Sequence, residues 1–138
     1  MQITAKYTVA LQLLTTCYLY PDAKITSNYL ASKIGSDAVI IRQVMLDLKK
    51  AGYIICKPGP GGTSLAIDLD TITLYDVYTL VADPEESLLK FYKPSNSAGI
   101  IETNFQNIMN NYFESIKSTF FNEMKSVTLL QLCNQITS

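Results

Sequence analysis

The stretch IGSDAVIIRQVMLDLKKAGYIICKPGPGGTSLA, residues 34–66, decides the fold, because it joins a helix pattern to a hairpin pattern at a single glycine. In its first half, apolar residues recur at i, i+3, i+4 and i+7, which predicts one buried face of an amphipathic helix. These residues are Ile41, Val44, Met45 and Leu48. The opposite face of the predicted helix carries Val39, Arg42, Gln43 and Leu46. One face therefore belongs to a core, and the other is available for contact.

The ends of this helix are marked by residues that favour helix termini. Ser36 or Asp37 can cap the first turn with a side-chain oxygen, and two lysines occupy the last turn, where positive charge is favourable. Gly52 follows and can adopt the left-handed conformation that ends many helices. The sequence therefore predicts a helix from about Asp37 to Ala51.

The second half of the stretch has the pattern of a β-hairpin. Residues 53–57 and 63–67 are short runs that favour strands, and the segment between them, PGPGG, contains only Pro and Gly. A nucleotide-binding P-loop would need G-x-x-x-x-G-K-[ST] between a strand and a helix, whereas this loop has strands on both sides and no lysine after its glycines. Small residues here instead allow the backbone to approach a surface such as a DNA phosphate or a minor groove.

Two further helices are predicted ahead of this stretch. Apolar residues repeat with helical period from about Ala5 to Tyr20. Thr26 or Ser27 can cap a short second helix, and Gly35 separates it from the third. A helix, a tight turn and another helix are the arrangement of a helix-turn-helix.

Four segments resemble motifs of the Rrf (Rrf-two) family of winged helix-turn-helix transcriptional regulators. They are SDAVIIRQ at 36–43, LKKAGYI at 48–54, GPGG at 59–62 and ITLYDVY at 72–78. The resemblance implies a mainly α fold with a small β-hairpin, in which a winged helix-turn-helix domain is followed by a long C-terminal dimerisation helix. It also implies a homodimeric, sequence-specific DNA-binding transcriptional regulator, most simply a repressor.

The C-terminal part of the chain carries the pattern of that long helix, from about Ile101 to Lys125. Its apolar residues fall in steps of 4, 3, 4, 4 and 4 and are Phe105, Met109, Tyr112, Ile116, Phe120 and Met124. Such a helix spans more than about 35 Å, which is longer than one small winged domain needs. We therefore expect this stripe to pair two subunits, although a long helix packed only on its own domain is the alternative.

Three regions follow from these patterns. We expect a DNA-binding domain at 1–83, a linker loop at 84–100 and the dimerisation helix with a final short helix at 101–138. By resemblance, the third helix would lie in the major groove of double-stranded DNA and the hairpin, or wing, would reach the neighbouring minor groove. The expected DNA-binding residues are Ser36, Asp37, Ala38, Val39, Arg42 and Gln43 from the helix and Lys57, Gly61, Gly62 and Thr63 from the wing.

The wing departs from the family pattern at one position. Many members resemble R-G-P-G-G-G-Y there, and Pro58 stands in the place of the arginine, so that Lys57 is the nearest cation. Because lysine suits a narrow groove less well than arginine, we expect weaker recognition of the minor groove.

The charge distribution agrees with DNA binding at one end only. Residues 1–67 carry seven Lys or Arg against three Asp or Glu, a balance of +4, whereas residues 68–138 carry four against nine, a balance of −5. The net charge of −1 hides this asymmetry. The sequence contains neither a run of 18 apolar residues nor a signal-peptide pattern, so we expect a cytoplasmic protein with no membrane partner.

The inventory of reactive side chains argues against an enzyme. Histidine is absent, and the three cysteines, Cys17, Cys56 and Cys133, are widely spaced. No catalytic residue and no metal-ligand set is therefore predicted, and each cysteine is expected to be a small packed residue. The best-known members of the family hold an iron–sulfur cluster on cysteines between the winged domain and the dimerisation helix, but residues 83–102 contain no cysteine or histidine.

We therefore expect no cofactor. Regulation would use a small-molecule effector, a partner protein or a lone thiol such as Cys56 or Cys133. The alternative function is a dimeric winged-helix sensor or protein-interaction module without direct operator binding, which would show no salt-dependent affinity for DNA.

Overall fold

Helices dominate the computed structural model, which describes residues 4–58, 62–83 and 89–137. The described residues form α1 (Ala5–Leu19), α2 (Ser27–Ile34), α3 (Ala38–Lys50), β1 (Ile54–Lys57), β2 (Gly62–Leu65), α4 (Leu74–Val81), α5 (Ile100–Lys125) and α6 (Leu129–Thr137). The two strands pair antiparallel, with Ile54 opposite Leu65 and Lys57 opposite Gly62. The predicted mainly α fold with a small hairpin is confirmed.

Helix α1 lies at the centre of the core because apolar side chains project from most of its circumference. Its buried residues are Tyr7, Val9, Ala10, Leu13, Leu14, Thr15 and Cys17. Helices α2, α3, α4 and α6 and strand β2 all contact it. The Tyr7 hydroxyl donates a hydrogen bond of 2.9 Å to the Leu74 carbonyl, which ties α1 to the start of α4.

Side-chain caps set the starts of α2, α3 and α4 and resolve two alternatives left by the sequence. Thr26 caps α2, because its hydroxyl oxygen accepts a hydrogen bond from the Tyr29 N–H at 3.1 Å. Asp37 caps α3, with one carboxylate oxygen 2.7 Å from the Val39 nitrogen. Helix α4 begins with a complete capping box between Thr73 and Asp76.

The end of α3 is a Schellman motif built on the predicted glycine. Gly52 has a φ of 81°, which a residue with a Cβ rarely adopts. Its N–H donates to the Lys49 carbonyl at 3.0 Å, and the Tyr53 N–H donates to the Leu48 carbonyl at 2.9 Å. These bonds satisfy carbonyls at the helix end and direct the chain into β1.

The wing is attached to the segment that precedes α2 through a close backbone contact. The Thr63 N–H donates to the Ile25 carbonyl at 2.9 Å. Gly62 has a φ of 67°, and a Cβ placed on it would lie 2.9 Å from the Ile25 nitrogen. Only glycine fits this position without strain, so the base of the wing is held against the helix-turn-helix.

Helix α5 is anchored to the rest of the fold at its C-terminal end. The Phe121 ring lies 5.1 Å from the ring of Tyr75 and 5.5 Å from that of Tyr78, centroid to centroid. The Leu74 N–H donates to the Val127 carbonyl at 2.9 Å, immediately after α5 ends. Of the linker predicted at 84–100, residues 84–88 lie outside the described residues, and residues 89–99 are a loop with one turn. Among the described residues, no helix is both long enough and apolar enough to cross a membrane.

The contact between the wing and Ile25 predicts different costs for two glycine substitutions. Gly62→Ala should lower the free energy of unfolding by about 2–4 kcal/mol, because the left-handed backbone strains any Cβ and the Ile25 backbone cannot give way. Gly35→Ala is the matched control, since Gly35 also has a positive φ of 79° but has nothing within 4 Å of the added Cβ. It should cost about 1–2 kcal/mol. Equal losses for the two variants in urea unfolding would contradict the proposed close contact.

Candidate nucleic-acid interface

Helix α3 is two-faced, as its sequence pattern predicts. Ile41, Val44 and Leu48 are completely buried, whereas Arg42 and Gln43 are exposed on the opposite side. Val39 and Leu46 lie on the same open side and are each about half exposed. The core therefore fixes the helix along one side and leaves a row of polar and apolar side chains free for contact on the other.

The N-terminal end of α3 is partly used by the fold itself. One oxygen of Asp37 is bound by the Val39 N–H, and the Ser36 hydroxyl donates to the Asp37 carbonyl at 3.2 Å. Ser36 and Ala38 are half-buried. Backbone N–H groups at a helix start favour a phosphate, but the Asp37 carboxylate already supplies negative charge there. Arg42 and Gln43, one turn later, are the freer hydrogen-bonding side chains.

The wing residues differ in their accessibility. Lys57 is exposed at the end of β1, and Gly61 lies outside the described residues. Gly62 and Thr63 are buried, and Thr63 is only 5% exposed. Gly62 and Thr63 therefore present little surface, because β2 packs against Ile25 and turns them inward, and their contact with DNA stays a prediction.

One exposed residue of the wing was not predicted from the sequence. Ile55 is about half exposed in β1, next to the buried Ile54. Alternation along a strand is the signal that could have identified it, because successive side chains point to opposite faces of a hairpin.

Positive charge in the N-terminal half lies mostly at the surface. The exposed cationic residues are Lys24, Lys33, Arg42, Lys49, Lys50 and Lys57. Lys6 instead forms an ion pair with Asp47 at 3.6 Å, which links α1 to α3. The exposed face of α3, its C-terminal turn and the end of β1 thus carry cations suited to phosphate contacts.

The apolar stripe of α5 is exposed over most of its length. Tyr112 is 65% exposed and Ile116 54% exposed, and Phe105 and Phe120 are also open to solvent. Met109 is half-buried. Met124 is only 7% exposed, because the C-terminal end of α5 is packed into the core of its own chain, and its contact with a partner subunit stays a prediction.

Comparison with known proteins assigns this arrangement to a family. The profile of the Rrf2 family, described as iron-dependent transcriptional regulators, matches residues 3–135. The chain belongs to the Rrf2 family. This is the Rrf family whose motifs the sequence resembles, and its members are transcriptional regulators rather than enzymes.

Individual relatives agree with this assignment. A candidate HTH-type transcriptional regulator, YwnA of Bacillus subtilis (strain 168), is 28% identical over 108 residues, which cover 78% of this chain and 79% of that protein. A candidate transcriptional regulator from Lactobacillus plantarum has a TM-score of 0.82 at 22% identity, covering 96% of this chain and 89% of the other. IscR of T. potens has a TM-score of 0.72 at 17% identity, covering 99% of this chain and 88% of the other. The winged-helix fold and a role as a DNA-binding transcriptional regulator follow.

The description of the Rrf2 family raises the question of whether this chain can hold iron. Cys17 and Cys133 are buried in the core, and burial raises the pKa of the Cys17 thiol to about 11 and also raises the pKa of Cys133. The Sγ atom of Cys56 lies 4.0 Å from the Thr63 hydroxyl, in the wing. No group of three or more His, Cys, Asp or Glu side chains within the described residues could hold a metal ion. These residues do not fit an iron ion or an iron–sulfur cluster.

This misfit predicts that the protein binds DNA without iron. After anaerobic incubation with ferrous iron and sulfide, followed by desalting, the chain should show no visible absorption band and no bound iron by metal analysis. The three cysteines provide a control within the protein, because a thiol reagent should label the partly exposed Cys56 before unfolding and the buried Cys17 and Cys133 only afterwards. A visible band that is lost in a triple Cys→Ser variant would overturn the prediction.

Proposed function

We propose that two copies of this chain pair through α5 and bind an operator in double-stranded DNA as a transcriptional repressor. The observation that carries the proposal is the amphipathic character of α3. Its apolar face is buried in the core, and its opposite face exposes Arg42 and Gln43. We infer a cytoplasmic location from this proposed DNA target. The regulated promoter would be blocked when the paired helices occupy the operator.

The exposed face of α3 suits the major groove in size and chemistry. Its 13 residues form a rod about 20 Å long, and the groove of B-DNA is about 12 Å wide. Arg42 and Gln43 can donate to base edges or phosphates, and Val39 offers an apolar surface for a thymine methyl group. Lys57, at the edge of the wing, would contact the phosphate backbone. Because Gly62 fixes the base of the wing, α3 and Lys57 would meet DNA as one rigid unit.

The exposed stripe of α5 supports pairing of two chains. Scattered apolar residues are common on protein surfaces, but a continuous row marks an interaction surface. Phe105, Tyr112, Ile116 and Phe120 form such a row along about 22 Å of helix. Pairing through this row would hold two copies of α3 at a fixed spacing, as two half-sites about 34 Å apart require.

A protein-binding module is the second candidate function. It is favoured by Leu46 and Ile55, which are each about half exposed near the proposed DNA-binding face. The two functions differ in their response to salt, because only binding to DNA phosphates releases counterions and weakens steeply as the salt concentration rises.

The DNA contacts predict distinct effects for Arg42 and Lys57. Arg42→Ala should cost about 1–3 kcal/mol of affinity for the operator and much less for a scrambled duplex, since it removes contacts with bases. Lys57→Ala should weaken binding to both duplexes and reduce the slope of log affinity against log salt concentration by about one, since it removes a phosphate contact. Fluorescence anisotropy with DNA from upstream of the protein's own coding region would measure both effects.

Lys117→Ala is the control for the loss of one positive charge, because Lys117 lies on α5 and pairs with Glu114 at 3.0 Å. It should leave both affinities unchanged. If Arg42→Ala and Lys57→Ala also bind like the unaltered protein, neither residue is part of the interface.

The pairing helix predicts a change of oligomeric state. Ile116→Glu should convert dimers to monomers and abolish operator binding, because it places a charge in the apolar interface while Ile116 contributes little to the core of its own chain. Ser118→Glu is the matched control, since Ser118 is exposed and lies about 200° around the helix from Ile116. Light scattering coupled to a sizing column would report the masses. A monomeric unaltered protein at micromolar concentration, or a dimeric Ile116→Glu variant, would refute pairing through α5.

A further inference from the structure

A surface cavity of about 590 Å³, open to solvent because Tyr92 and Ile101 in its wall are exposed, lies between the N-terminal turns of α5 and the segment 90–95 that precedes them. Its size falls within the range of small-molecule sites, about 300–1,000 Å³. It is separate from the DNA-facing residues of α3 and the wing. Half of the ten described residues that line it are apolar or aromatic: Phe91, Tyr92, Pro94, Ile101 and Phe105.

The walls of the cavity are held in place by specific contacts. The rings of Phe91 and Phe105 meet edge to face, with centroids 6.3 Å apart and an interplanar angle of 84°. The side-chain amide of Gln106 donates to the Tyr92 carbonyl at 3.2 Å, which ties the preceding segment to α5. Ile101 is 71% exposed on the same helix, so the cavity keeps an accessible apolar wall.

The charged residues that line the cavity favour an anion. Lys90 and Lys93 are exposed and line it, and within the described residues neither forms an ion pair. Glu102 also lines it, but its carboxylate accepts a hydrogen bond of 3.0 Å from the Gly99 N–H and completes the start of α5. Among the described residues, the lining therefore carries two lysines and one carboxylate, and the start of α5 already uses that carboxylate.

We propose that this cavity binds an aromatic organic anion, with its ring against Phe91 and Ile101 and its carboxylate or sulfonate near Lys90 and Lys93; Phe105, whose ring supports Phe91, stays part of the row that we propose pairs the two chains. Aromatic walls provide the area for stacking and edge contacts, and the lysines select for negative charge. The cavity is built on the helix that we propose pairs the two subunits, so the bound anion would act as an effector of DNA binding. That last step alone rests on the proposed function.

Two fluorescent probes with the same ring system test the site in the intact chain. 1-Anilinonaphthalene-8-sulfonate carries the anionic group, and N-phenyl-1-naphthylamine lacks it. The sulfonate should bind more tightly than the neutral amine. The double variant Lys90→Gln, Lys93→Gln should lower the affinity for the sulfonate by roughly fivefold or more and leave the affinity for the neutral amine unchanged. Phe91→Ala should lower the affinity for both probes, because it removes an aromatic wall of the cavity.

A second groove of similar volume provides the matched control. It lies between α1, α2 and α6, is also largely apolar and is bordered by Lys33. Lys33→Gln should leave the affinity for the sulfonate unchanged. Far-UV circular dichroism would establish that each variant is folded.

The proposal is overturned if the sulfonate does not bind, or if the double lysine variant binds it with the affinity of the unaltered protein. It is overturned as well if Lys33→Gln lowers the affinity for the sulfonate as much as the double lysine variant does. It is also overturned if the neutral amine loses affinity in the double lysine variant to the same extent as the sulfonate. The titrations contain no DNA, so failure of operator binding would leave their result intact.

Discussion

The burial of α1 from several sides is the constraint on which the other elements depend. A helix that is apolar around most of its circumference must be covered, and α2, α3, α4, α6 and β2 cover it together. Its polar groups are satisfied inside this packing: the Thr15 hydroxyl donates to the Leu11 carbonyl at 2.8 Å, and the Tyr7 hydroxyl donates to Leu74. Burial raises the pKa of Tyr7 to about 12, so this donor stays protonated at alkaline pH values at which an exposed tyrosine ionises.

The position of the side chains of α3 that we propose contact DNA follows from this packing. Helix α3 lays its buried face on α1, and the ion pair between Lys6 and Asp47 adds a contact at the edge of the same interface. The wing is fixed separately, by the backbone of Ile25 against Gly62 and Thr63. Helix α3 and the wing are therefore anchored separately, α3 to α1 and the wing to the segment that precedes α2.

Local chemistry made much of this fold predictable from the sequence. The buried face of α3 and the glycine that ends it depend on spacing and backbone preference, and both were predicted correctly. The burial of two residues from the predicted sites could not be foreseen, because periodicity identifies an apolar face without identifying what covers it. Met124 continues the stripe of α5 but is covered by its own chain, because Phe121 brings that end of the helix onto α4. Thr63 follows a glycine-rich loop typical of a wing tip, yet the contact with Ile25, distant in sequence, turns it inward.

The cysteines show why this chain departs from the iron chemistry that describes its family. Cys17 and Cys133 belong to the same core that α1 and α6 build, so binding a metal through them would require that core to open. A cysteine must lose its proton and become a thiolate before it can bind a metal. The raised pKa values of Cys17 and Cys133 oppose this loss. Opening the core and deprotonating its thiols would both act against the packing of α1. A signal that reaches the DNA-binding face without unfolding the protein must therefore act on side chains outside this core. The N-terminal turns of α5 satisfy this condition, because they are accessible and lie on the helix that is joined to α4 at its other end.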